Sequence, residues 1–97
     1  MMRTMYHATD FINLPSIMEK GLFTGCDGVI YLCEKPEESL RFIFLHGIKE
    51  VLVVKVLIEE KMLEESFDHN EQYFGCKAYT YGQNIGLDEI DSFLKYK

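Results

Sequence analysis

The clearest hydrophobic pattern lies mid-chain, where Val51 to Ile58 reads Val-Leu-Val-Val-Lys-Val-Leu-Ile. So continuous a β-branched run predicts a strand buried on both faces. Arg3 to His7 predicts a short first strand, and Val29 to Cys33 a second. Between them Leu14 and Ile17 begin a helical stripe. Asp10 or Asn13 can cap this helix, Pro15 fits its first turn, and Gly21 ends it after Lys20. Ser16 and Glu19 have capping-box spacing but lie too far inside to form one. Thr24 to Gly28 reads as loop. Pro36 opens a second helix, with Glu37 and Glu38 at its positive end and Gly47 beyond it. An acidic stretch, Glu59 to Glu65, follows the central run. Cys76 to Tyr81 then predicts another strand, Gly82 to Gly86 a turn, and Ile90, Phe93 and Leu94 a last element, helix or strand.

Ninety-seven residues leave room for one domain, residues 1–97, without repeats or linkers. Apolar runs stop at four or five residues, so neither a signal peptide nor a membrane span is legible, and a cytoplasmic protein without membrane contact is expected. The net charge of −6 argues against a nucleic-acid partner, which normally requires a basic surface. It permits a basic protein partner. Cys26, Cys33 and Cys76 form no C-x-x-C pair, and a zinc site would have to recruit the scattered His7, His46 and His69. The usual ligand spacings are absent, so no metal is expected.

Three residues carry candidate chemistry. His7 ends the first strand, and the small Ala8 after it allows a ligand to approach the backbone, whose N–H and C=O can pair with a planar amide. Tyr31 lies within Gly28-Val29-Ile30-Tyr31-Leu32. Phe42 points away from the Leu40–Ile43–Gly47 face of the second helix, so a second sheet, a partner or a flat ligand must cover it.

Tyr31 and Phe42 stand eleven positions apart across a strand–turn–helix. His7-Ala8-Thr9, Gly21-Leu22, Gly28-Val29-Ile30-Tyr31 and Phe42 together resemble, in order and spacing, the ADP-ribosyltransferase superfamily of the diphtheria-toxin and poly-ADP-ribose polymerase type. The resemblance covers roughly residues 4–47, and Ala8 stands where the family has glycine. It implies an α+β fold with a split mixed β-sheet core and two short helices. It implies NAD as cofactor: His7 on a ribose hydroxyl, the Ala8 backbone on the carboxamide, Thr9 bracing the loop, and Tyr31 and Phe42 stacked on the nicotinamide. Such a site stabilises an oxocarbenium-like transition state by preorganised electrostatics.

The family's late-strand glutamate, four residues before a tyrosine, has no counterpart. Aligning Tyr81 with that tyrosine puts Lys77 at the place, and aligning Tyr79 puts Gly75 there. The candidate catalytic residues are therefore Glu71, then Asp68, with His69 for acid–base work. Gln72 is a further polar candidate. The expected function is transfer of ADP-ribose from NAD to a protein target. The alternative is a non-catalytic relative that binds and inhibits a partner, for example a product of a mobile element. The RNA 2′-phosphotransferases share this fold, but Arg3 and Arg41 are the only arginines, which disfavours that branch.

Overall fold

The computed structural model describes residues 1–25, 28–44, 47, 50–66 and 78–96, with backbone alone for 41–44, 65, 66 and 78. Its elements run in the order β1 (Met2–Asp10), α1 (Leu14–Lys20), β2 (Ile30–Leu32), α2 (Pro36–Phe44), β3 (Val51–Glu59), β4 (Leu63–Ser66), β5 (Ala78–Tyr81) and β6 (Ile90–Tyr96). The protein is α+β, as expected. The sheet is not mixed, however: all pairings among the described strands are antiparallel, in one sheet ordered β1-β3-β6 and a second ordered β2-β5-β4. With helices this short and no parallel neighbours, no crossover is needed to return the chain to the same end of a sheet.

β3 is the central strand of the first sheet. Val51 to Val54, Val56 and Ile58 are all buried, whereas Leu57 is 42% exposed. Side chains alternate along a strand, so Leu52, Val54, Val56 and Ile58 share one face. Met5, on the neighbouring strand and opposite Val56, faces the same way. Ile30, Leu32 and Tyr81 of the second sheet close on that face, with Ile17 of α1 and the loop residues Leu22 and Ile85 completing the core. Val51 and Val53 point the other way and are buried too, and α2 packs against β1 and β3. This accounts for the unbroken apolar run.

Two elements that the pattern leaves open take form in the structure. Within the acidic stretch, Glu60–Met62 forms a 3-10 turn and Leu63–Ser66 is β4. Leu63 packs against the core while Glu64 is exposed, an alternation that the run of acids conceals. The last element is a strand, because Ile90 and Phe93 meet Val56 and Val54 across the β3–β6 ladder.

A polar cluster ties β1 and β5 to the residues that follow β2 and β3. Arg3 pairs with Glu34 at 2.6 Å and Glu60 at 3.6 Å, and its guanidinium lies 5.1 Å from the Tyr79 ring centroid. The Tyr79 hydroxyl donates to Glu34 at 3.2 Å.

Candidate functional site

The site begins where the two sheets join. Tyr6 of β1 and Cys33, just past β2, exchange both backbone hydrogen bonds at 2.8 Å, an isolated antiparallel bridge. An antiparallel ladder repeats such pairs every second residue. The next pair in this register is Ala8 with Tyr31, but the ladder stops short of it. Instead the His7 ring enters the gap, and its Nδ1–H donates to the Tyr31 carbonyl at 2.8 Å.

The consequence falls on Ala8. Phe11 donates its N–H to Glu50, and Met1 accepts from Glu60, so the odd-numbered residues of β1 turn their backbone groups toward β3. The even-numbered ones turn away, as Tyr6 does toward Cys33. Ala8 N–H and C=O therefore face the gap, with no hydrogen-bond partner among the described residues. Ala8 itself is partly exposed. A donor and acceptor side by side at a strand edge match a planar primary amide, which presents the complementary pair.

Burial holds the His7 imidazole below its ordinary value, and the hydrogen bond to Tyr31 opposes this shift. The ring is thus neutral near pH 7. With its proton on Nδ1, Nε2 is left as an acceptor for a hydroxyl. The depressed pKa has a stability consequence. The unfolded chain takes up the proton first, at about pH 6.5, so the native state loses stability as pH falls below that value. We expect wild type to lose its stability advantage over His7→Gln between pH 7.5 and 5, measured by urea unfolding of both proteins. The amide still reaches for the carbonyl, and the carboxylates common to both cancel. A difference that stays constant across this range would contradict the assignment.

Thr9 and Asn13 brace the turn out of β1. Asn13 Nδ2 donates to Thr9 Oγ1 at 2.9 Å, and Asp10 caps the following 3-10 turn by accepting from Ile12 N–H at 3.2 Å. Asn13 thus serves Thr9 and makes no cap bond to α1.

Tyr31 is partly exposed and faces Thr80 across β5, which in turn faces Glu64 on β4. Ile30, Leu32 and Tyr81 point into the core. By alternation, Tyr31, Thr80 and Glu64 form a row on the outer face of the second sheet. This row is absent from the sequence reading. Its only signal was period-two alternation in two short acidic or aromatic segments.

The His7 ring thereby meets the Tyr31 backbone at the opening between the sheets, with Ala8 and Thr9 next along β1. Phe42 lies in α2, which packs against β1, but its side chain is outside the described part of the structure. Asp68, His69, Glu71 and Gln72 are outside the described residues, as are Cys26, His46, Cys76 and Lys77. Among the described residues no helix is long and apolar enough to cross a membrane. No family model matches the chain, and no curated protein matches it.

Proposed function

We propose that this protein binds NAD by its nicotinamide end at the opening between β1 and β2, and transfers ADP-ribose to a protein target. The single observation that supports this most is the amide edge of Ala8, without a hydrogen-bond partner among the described residues, where the His7 ring takes the place of the expected Ala8–Tyr31 pair. A carboxamide fits that edge, Tyr31 offers an aromatic face beside it, and neutral His7 offers Nε2 to a ribose hydroxyl. NAD would supply the activated glycosidic bond. The chain's own residues would orient the ring and exclude water from one side. A net charge of −6 favours a target with a basic surface.

One observation favours the non-catalytic alternative, a partner-binding inhibitor. The position that aligns with the family's glutamate is Lys77 or Gly75, neither of them a carboxylate.

Calorimetric titration with NAD tests the reading. Tyr31→Ala should weaken binding by about 1 kcal/mol beyond the lost contact area, because one stacking face is removed, while the thermal transition is retained. Absence of heat at millimolar NAD with the wild type would transfer the weight to the partner-binding alternative.

A further inference from the structure

The outer face of the second sheet carries an open pocket of about 280 Å³, lined by Val29, Lys61, Met62, Glu64, Thr80, Gly82 and Gln83. Its floor is β5 and the residue after it, and Val29 stands on the β2 side. Lys61, Met62 and Glu64 stand on the β4 side. Gly82 gives it depth: a Cβ built there meets nothing within 4 Å. Pockets for whole drug-sized ligands run from about 300 Å³ upward, so this one suits a single ring system rather than a complete dinucleotide.

Position links it to Tyr31. Thr80 lines the pocket and is also the cross-strand partner of Tyr31. Gly82 lies two residues beyond Thr80. Strand spacing and rise put the Tyr31 and Gly82 backbones about 8 Å apart on one face, a span that a ribose–phosphate bridge can cover. We infer that this pocket receives the adenylate half of the dinucleotide whose nicotinamide lies against Tyr31. The inference rests on the nicotinamide reading for the identity of its ligand. The lining chemistry divides accordingly. Val29 and the adaptable Met62 flank a flat ring. Glu64 accepts from an exocyclic amine, and the Gln83 amide can both donate and accept. Lys61, which has no ion pair with a described residue, meets the phosphate.

Gly82 makes the test clean. Its φ is not positive, and the space above it is open, so Gly82→Leu fills the pocket without straining the backbone. The probes are AMP, adenosine and nicotinamide, each titrated separately, with melting temperature recorded for every variant. AMP affinity should fall at least about 10-fold in Gly82→Leu through steric exclusion, while nicotinamide affinity stays as in wild type. Lys61→Glu should weaken AMP but spare adenosine, which lacks the phosphate, and it decides the matter if Gly82→Leu fails to fold. Equal AMP affinity in wild type and both variants, or no AMP binding at millimolar concentration, would overturn the inference. If AMP follows these variants while nicotinamide fails to bind, the adenylate pocket stands and the nicotinamide reading falls.

Discussion

Gly21→Ala should destabilise the fold by about 3 kcal/mol or more, the sum of backbone strain and steric overlap. Gly21 ends α1 with φ +82° and ψ −164°, a conformation open to glycine and costly for any residue with a Cβ. The added Cβ would stand 2.3 Å from the Ile85 carbonyl oxygen, a backbone atom that cannot rotate aside. That same carbonyl accepts from Leu22 N–H at 2.8 Å, and Ile85 N–H donates back to Leu22 at 2.8 Å. Relief of the overlap therefore breaks the bridge that seats Leu22 and Ile85, 5% and 0% exposed, in the core. For a domain of this size the loss corresponds to a fall in Tm of roughly 12–24 °C. Gly82→Ala is the control: with open space above it, the change should stay within about 0.5 kcal/mol. Urea unfolding of both variants checks the pair. Similar midpoints for the two would mean that the Leu22–Ile85 clamp does not hold the native state together.

Glu71→Ala should lower nicotinamide release by about 10²-fold or more if transfer occurs, the usual loss for a removed acid–base or charge-stabilising group. Asp68→Ala should have the smaller effect. Thr80, opposite Tyr31, carries no charge, and Lys77, which aligns in sequence with the family's glutamate, has the wrong sign. Under the proposed transfer, Glu71 and Asp68, which lie in sequence between β4 and β5, are the candidate acids for a bound ribose. The stems of that connection are Ser66 and Ala78, paired with one another. Ala78 adjoins Tyr79, which pairs with Leu32, next to Tyr31. The connection thus leaves the second sheet at the end where Cys33 joins β1, two residues along from the Tyr31–Thr80 pair. Release is to be assayed with the protein target present, for each single variant and for the double. Full turnover in the double variant would refute the assignment.

Much of the architecture was legible because its signals are local. The β-branched run from Val51 identifies a doubly buried strand whatever surrounds it, since no helix or exposed strand tolerates that pattern. Gly21 marks the end of α1 because a positive φ selects glycine. His7, Ala8 and Tyr31 were legible as candidates by residue type and spacing. Other features depend on partners distant in sequence. Ile85 sits in a Gly- and Asn-containing turn, yet it is fully buried because Leu22, sixty-three residues earlier, bridges to it. β4 hides within an acidic stretch because only one of its faces, at Leu63, meets the core. The wholly antiparallel pairing was hidden for the same reason: strand direction is decided by which edge each strand meets.

The sequence by itself determined an acidic α+β domain with a central buried strand, two short helices and a histidine–alanine–threonine motif at the first strand. These follow from side-chain periodicity, backbone restrictions at Gly and Pro, and net charge, none of which requires a distant partner. Only the tertiary structure decided that the β1–β2 ladder breaks after Tyr6–Cys33, that the His7 ring takes the Tyr31 carbonyl, and that Ala8 is left with an open amide edge. The physical reason is competition for one acceptor. A carbonyl on β2 can be served by a strand neighbour or by a side chain, and the outcome depends on how the two sheets splay around their shared core.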